Sequence, residues 1–151
     1  MKRDIVLECV YAAPIEHVWR AITDSVLLKE WLMENDFSPV AGLRCQFRMK
    51  PQPEFNGIIQ CEVLEVQRPI RLVYTWDGGG TWGRTTLTWT LEPLDKGTKL
   101  QLEHRGFAGF RPFILSLMMG SGWKGKLSVQ VTRILERIAA EGKNEVGLLE
   151  R

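Results

Sequence analysis

The sequence predicts an α+β fold in which a bent antiparallel sheet surrounds one long C-terminal helix. From position 123 onward, apolar residues recur at spacings of three and four, which places them on one face of a helix. These residues are Trp123, Leu127, Val131, Ile134 and Ile138. Between positions 43 and 105, apolar and polar residues alternate, as they do in strands that are covered on one side. A lone amphipathic helix needs one large apolar surface, and the sheet is expected to supply it.

The long helix is predicted within the stretch from Phe113 to Ala140. The segment Gly120-Ser121-Gly122 punctuates its start and can mark a kink, and the amphipathic pattern begins directly afterwards. Gly142 suits the left-handed conformation that closes many helices. The helix is therefore expected to stop there.

Two short helices are predicted near the N-terminus. Pro14 fits the first turn of a helix whose apolar positions lie within residues 15–22. Either Asp24 or Ser25 can cap a second helix, which carries the apolar positions of residues 27–32. Helices this short are marginal alone, so both are expected to pack against the rest of the chain.

Six segments show the alternation of half-buried strands, and they give the order strand, helix, helix, five strands, long helix. Short turns rich in glycine or proline join consecutive strands, which predicts antiparallel pairing. Each segment has one apolar face, so one side of the sheet should be covered and the other solvated. The segments are residues 5–11, 43–50, 55–66, 71–76, 86–91 and 99–105.

Composition predicts one globular domain over residues 1–151, with a core at 4–141 and a frayed tail at 142–151. The hydrophobic fraction of 44% is ordinary for such a domain. The net charge of +2 gives no reason to expect nucleic acid as a partner. No signal-peptide pattern occurs, and no segment approaches the roughly 18 apolar residues of a membrane span. A cytoplasmic location is expected.

The cysteines are predicted to be buried, reduced thiols with a structural role. Cys9, Cys45 and Cys61 each lie in a strand-like segment, and they form no C-x-x-C motif. A metal site would also need histidines or clustered carboxylates nearby, and the chain has only two histidines. Neither a metal nor a cofactor is predicted.

Four motifs, taken in order, resemble the START-like (SRPBCC) superfamily. Within it, the chain is most similar to the small bacterial proteins of the activator of heat-shock-protein ATPase homologue domain. The resemblance spans roughly residues 4–140 and implies a helix-grip fold, a bent sheet around a C-terminal helix that encloses an apolar cavity. The motifs are Ala13-Pro14-Ile15-Glu16-His17-Val18-Trp19, Leu28-Lys29-Glu30-Trp31-Leu32, the run from Gly57 to Trp76, and the Gly106-Phe107 and Gly122-Trp123 pairs before the final helix.

Aromatic side chains dominate the faces that are expected to point inward. At most single positions core packing is the more common role, but as a set these residues favour an apolar pocket. His104 shares a face with Leu100 and Leu102. It is either a buried group bonded to backbone or carboxylate, or a donor or proton carrier in the cavity. The candidate ligand-binding residues are Trp31, Phe47, Ile59, Tyr74, Trp76, Trp89, His104, Met119 and Trp123.

Three functions stay open, and we rank binding first. The first is a carrier of a hydrophobic or amphipathic molecule (a lipid, an aromatic or a polyketide), with His104 orienting its polar end. The second is an interaction module that binds a cytosolic chaperone in the stress response. The third is an enzyme resembling polyketide cyclases or aromatases, with His104 as the catalytic group. A homodimer through the edge strand Leu43–Met49 is also considered. Hydrolysis has no support, because no G-x-S-x-G motif occurs.

Overall fold

A computed structural model describes residues 4–53, 55–80, 83–107 and 122–149. These residues form seven strands, two short helices and one long C-terminal helix. The strands are β1 (Ile5–Tyr11), β2 (Glu34–Asn35), β3 (Arg44–Arg48), β4 (Ile58–Gln67), β5 (Arg71–Asp77), β6 (Arg84–Leu94) and β7 (Gly97–Arg105). The helices are α1 (Ile15–Thr23), α2 (Ser25–Trp31) and α3 (Val131–Leu149), the last preceded by helical residues 122–125 and a π-helical turn, Lys126–Gln130.

All seven strands lie in one antiparallel sheet, in the order β1-β7-β6-β5-β4-β3-β2. A register shift between Val63 and Glu65 places a bulge in β4, and a bulge bends its strand and increases the local twist. The apolar face of the sheet packs with all three helices in one core. This arrangement confirms the predicted helix-grip fold. The sequence pattern missed β2, since two residues are too few to show an alternation. Because β2 pairs with β3, the expectation that Leu43–Met49 is the edge strand is wrong.

Burial follows the predicted alternation in β6 and β7. In β6, Leu87 and Trp89 are buried while Thr86 and Thr88 are half-buried. Strand β5 differs, because five consecutive residues, Leu72 to Trp76, are all buried. On the outer face of β5, the Thr75 hydroxyl accepts a hydrogen bond from the Glu62 backbone N–H at 2.9 Å, next to the bulge. A central strand beside a bulge is therefore covered on both faces.

Asp24 divides the two short helices. Its backbone N–H donates to the Arg20 carbonyl at the end of α1, and its carboxylate accepts from Val26 and Leu27 N–H at the start of α2. Of the two predicted caps, Asp24 is the one used. The Trp31 indole N–H then donates to the Ala21 carbonyl at 2.8 Å and ties α2 to α1.

The C-terminal helix continues beyond its predicted end. Gly142 lacks the positive φ that a left-handed cap requires, and α3 runs to Leu149. The predicted stop is wrong because a single glycine lowers helix propensity only slightly when its backbone stays helical. The predicted helical residues 113–121 lie outside the described residues. None of the helices in the described ranges is long and apolar enough to cross a membrane.

Two of the three cysteines lie in the core, as predicted. Cys45 and Cys61 face each other across β3 and β4, and both are buried. Cys9 is only half-buried, which corrects the expectation for this residue. Its strand, β1, is at the edge of the sheet and has a neighbour on one side only. All three are free thiols.

The end of β1 is held in place by contacts from three parts of the chain. The Tyr11 hydroxyl donates to the Leu127 carbonyl in the π-helical turn at 2.7 Å. The Thr98 hydroxyl donates to the Ala13 carbonyl at 2.8 Å. A Cβ at Gly97 would lie 2.1 Å from the Tyr11 carbonyl oxygen, so only glycine allows β7 to start this close to β1.

We predict that Gly97→Ala lowers the free energy of unfolding by about 1–3 kcal/mol, the usual cost of forcing atoms into a packed site. Urea denaturation measures the change. Gly125→Ala is the matched control, because Gly125 has helical backbone angles and its Cβ would meet nothing within 4 Å. That variant should gain about 0.5–1 kcal/mol. A Gly97→Ala protein as stable as the original would contradict the packing described.

Candidate functional site

A cavity of about 490 Å³ opens between the sheet and the beginning of the C-terminal helix. Its volume lies within the range of small-molecule sites, which runs from about 300 to 1,000 Å³. Most of its described wall is apolar. The apolar lining side chains are Leu32, Met33, Met49, Pro53, Phe55, Ile59, Trp76 and Trp123. The polar side chains in the wall are those of Gln52, Thr85 and Lys126.

Three of the predicted site residues line this cavity: Ile59 from β4, Trp76 from β5 and Trp123 from the start of the C-terminal helix. Five others lie in the core, each with 1% of its surface exposed or less, and are not among the lining residues. These five are Trp31, Phe47, Tyr74, Trp89 and His104. Met119 lies outside the described residues.

Trp123 is the centre of the aromatic cluster beneath the cavity. Its ring centroid lies 5.8 Å from Trp89, 5.9 Å from Trp76 and 6.4 Å from Trp31. The contact with Trp89 is edge to face, a favoured arrangement of aromatic rings. Trp123 thus belongs to both the core and the cavity wall. Any displacement of its ring would change the shape of the cavity.

A chain of hydrogen bonds fixes the Trp123 ring. The Thr85 hydroxyl donates its one proton to the Trp76 carbonyl at 2.9 Å, so its oxygen accepts from His104 Nε2–H at 2.6 Å. With the ring proton on Nε2, His104 Nδ1 accepts from the Trp123 indole N–H at 3.2 Å. This network assigns His104 to the neutral Nε2–H tautomer and joins β5, β6, β7 and the helix.

Burial keeps His104 neutral. It lowers the pKa of the imidazole from its ordinary value of 6.5 to about 3, and the negative charge of Asp4 opposes this shift in part. Protonation at Nδ1 would also set two donors, Nδ1–H and the Trp123 indole N–H, against each other. His104 therefore orients Trp123. It is buried, but the expected backbone or carboxylate partner is wrong, because its partners are the Thr85 hydroxyl and the Trp123 indole.

Described residues of two connections line part of the cavity: the first loop, 49–57, joins β3 to β4, and the second loop, 78–83, joins β5 to β6. A second, more open space of about 530 Å³ adjoins the cavity and shares Gln52, Phe55 and Gly78 with it. Gly57 closes the first loop with φ at +85°, and a Cβ there would lie 2.3 Å from the Met49 carbonyl oxygen. The Met49 N–H donates to the Gly57 carbonyl at 2.8 Å. Glycine at this position thus holds Met49 and Phe55 at the cavity.

Within the described ranges, no group of three His, Cys, Asp or Glu side chains is arranged to bind a metal ion. The described part of the cavity wall instead combines aromatic faces, flexible methionines and one ammonium group, that of Lys126. Such a wall suits the burial of an apolar molecule, because methionine side chains adapt to irregular shapes.

Comparison with known proteins places the chain in a family. The model of the family described as "Activator of Hsp90 ATPase homolog 1-like protein" matches residues 12–136. The chain belongs to this family. Among curated proteins, none matches the chain.

Solved structures agree with this family's fold. Protein MLL2253 from Mesorhizobium loti is 33% identical, with 89% of this chain and 98% of that chain covered and a TM-score of 0.77. Protein BH1534 from Bacillus halodurans is 29% identical, with 89% and 99% covered and a TM-score of 0.73. The Aha1 dimer from Colwellia psychrerythraea is 18% identical, with 88% and 96% covered and a TM-score of 0.71, and shows likeness of fold alone.

Sequence reasoning missed several residues of this family member's cavity. Pro53 lies in a loop, where no periodicity reveals which side chains point inward, whereas Met49 and Phe55 lie at the ends of the alternating segments 43–50 and 55–66 and are not among the predicted site residues. Lys126 occupies a polar position in the helical pattern, yet it follows Trp123 by three positions, and residues so spaced are neighbours on a helix surface. That spacing was the available signal.

We predict that acid destabilises this protein through His104. The unfolded imidazole takes up a proton below about pH 6.5, whereas the folded one does so only near its lowered pKa of about 3. The stability that comes from neutral His104 is therefore complete above about pH 6.5 and is lost as pH falls. The loss at pH 5 is about 2 kcal/mol.

Urea denaturation at a series of pH values measures this dependence. His104→Gln should be less stable near neutrality, and its profile between about pH 7 and pH 5 should lack the His104 contribution. His17→Gln is the control and should keep the full slope. An unchanged slope in His104→Gln would contradict the assigned neutral histidine.

Proposed function

We propose that this protein binds a small hydrophobic or amphipathic molecule in the cavity between the sheet and the C-terminal helix. The observation that carries the proposal is the combination of a volume near 490 Å³ with a wall that is almost wholly apolar. Removing apolar surface from water stabilises a complex by about 25 cal/mol for each Å² buried. A cavity of this kind therefore favours a ligand with a large apolar body.

Ligand contact is assigned to three of the predicted residues. Ile59 contributes a wall from the sheet, and Trp76 and Trp123 contribute aromatic surfaces at an angle of 58° to one another. The predicted residues of the buried cluster support these rings from below. His104 acts as a positioning residue, because its bond to the indole N–H sets the orientation of Trp123. Contact by Met119 stays a prediction.

Binding accounts for the site better than catalysis of the cyclase or aromatase kind. Both ring nitrogens of His104 are engaged, one by Thr85 and the other by Trp123. A proton-transferring role would require one of these bonds to break and the ring to reach the cavity. The Thr85 hydroxyl is likewise engaged, because it donates its proton to the Trp76 carbonyl. The described wall offers no paired acid and base.

Family membership supports a second candidate, association with a chaperone. The name of the matched family refers to activation of an Hsp90 ATPase. Such an association would use the outer surface of the domain, which a substitution inside the cavity leaves intact. A substitution that fills the cavity should therefore weaken binding of a small molecule and leave binding of a chaperone unchanged.

We predict that Ile59→Trp weakens binding of the apolar fluorescent probe N-phenyl-1-naphthylamine by roughly tenfold or more, equivalent to about 1.4 kcal/mol. The larger side chain would occupy the space that the probe needs. Fluorescence titration measures the affinity, and circular dichroism checks the fold. Met33→Trp, at another wall position, tests the same point if Ile59→Trp is unstable.

Leu64→Trp provides the control for this experiment. Leu64 lies in the same strand as Ile59, but it is 46% exposed and is not part of the described wall. Its variant should bind the probe as the original protein does. Equal affinity in the original protein and in both cavity variants would rule out the cavity as the binding site. If the cavity variants no longer bind the probe but still bind a chaperone, the results would support both candidate functions.

A further inference from the structure

Lys126 stands apart from the other residues of the cavity wall. Among the lining residues that the structure describes, it is the one with a charged side chain. It is half-buried in the π-helical turn, three positions after Trp123, and both residues line the cavity. Lys124, two positions earlier, is exposed and is not in the described wall. Within the described wall, the fold thus places one ammonium group beside side chains that are neutral and mostly apolar.

The partner of this ammonium group within the described chain is uncharged. Lys126 Nζ donates to the Trp31 carbonyl at 3.3 Å. The carboxylates nearest in sequence to Trp31 pair with other cations, Glu30 with Arg137 and Glu34 with Lys29. Of the carboxylates in the described ranges, none forms an ion pair with Lys126.

An ammonium group in this position favours an anion. A partly desolvated charge without a counter-charge is costly, and the cost falls when an opposite charge comes within hydrogen-bond distance. An ammonium has three N–H donors, and the bond to Trp31 uses one of them. Lysine also carries its charge on a flexible stem, so Nζ can turn towards a bound molecule without movement of the helix.

We propose that the ligand is an apolar molecule with one anionic end, of the carboxylate class, and that Lys126 Nζ binds this end. The apolar body then lies against Ile59, Trp76 and Trp123. This inference rests on the proposed binding function and adds the ligand's charge to it. A cationic ligand is disfavoured by repulsion from Lys126, although tryptophan faces alone attract cations. A neutral ligand would bring no counter-charge to the ammonium group.

The test compares two fluorescent probes that share one aromatic body. N-phenyl-1-naphthylamine is neutral, and 8-anilinonaphthalene-1-sulfonate adds an anionic group to the same rings. The original protein should bind the sulfonate more tightly than the neutral probe. Lys126→Gln should weaken sulfonate binding by roughly tenfold and should weaken neutral-probe binding by much less, so that the ratio of the two affinities falls.

Lys124→Gln is the matched control, since it removes the same charge from an exposed position two residues away. It should change the affinity for either probe by less than about twofold. Decanoate, a fatty carboxylate, and 1-naphthoate, an aromatic one, should each displace the sulfonate from the original protein. The more effective competitor shows whether the cavity prefers an aliphatic or an aromatic carboxylate.

Failure of this inference is distinguishable from failure of the proposed function. If neither probe binds the original protein, or if Ile59→Trp has no effect on either, the cavity is not a binding site. If the neutral probe binds in the cavity but Lys126→Gln leaves the sulfonate affinity unchanged, the function stands and the anionic ligand is overturned. Equal losses in Lys126→Gln and Lys124→Gln would also overturn it, since they would indicate only a general effect of net charge.

Discussion

The hydrogen bond from the Trp123 indole to His104 is the interaction on which the rest of this structure depends. It joins the start of the C-terminal helix to the inner face of the sheet, at the point where the core ends and the cavity begins. The bond requires an unprotonated Nδ1, and burial supplies it by lowering the pKa of the imidazole to about 3. A neutral histidine is thus a structural requirement of the cavity wall.

A second hydrogen bond fixes the helix one turn further along, where the Tyr11 hydroxyl donates to the Leu127 carbonyl. Between these two points lies Lys126, so its position is set by contacts on both sides. Large rings from β3, β5 and β6 fill the interior beneath Trp123. Described residues from the β3–β4 and β5–β6 connections line the cavity and the more open space beside it. Core packing and cavity are consequences of the same arrangement.

Much of the fold could be predicted because alternation and helical spacing report which face of each element is covered. The same patterns do not show how far an inward-facing side chain lies from the cavity. They therefore could not separate Trp31 and Trp89, which lie only in the core, from Trp76 and Trp123, which also line the cavity. Pro53 lies in a loop outside the alternating segments, so these patterns give no information about its side chain. The predicted helix end at Gly142 is wrong because backbone geometry, which sequence does not reveal, decides whether a glycine closes a helix.

The most direct test of the binding site is a crystal structure of the protein with bound 8-anilinonaphthalene-1-sulfonate. The rings should lie between Ile59, Trp76 and Trp123, with the sulfonate within hydrogen-bond distance of Lys126 Nζ. The indole of Trp123 should still donate to His104. A probe bound on the outer surface, with the space beside Trp123 left empty, would contradict the assignment of this cavity as the ligand site.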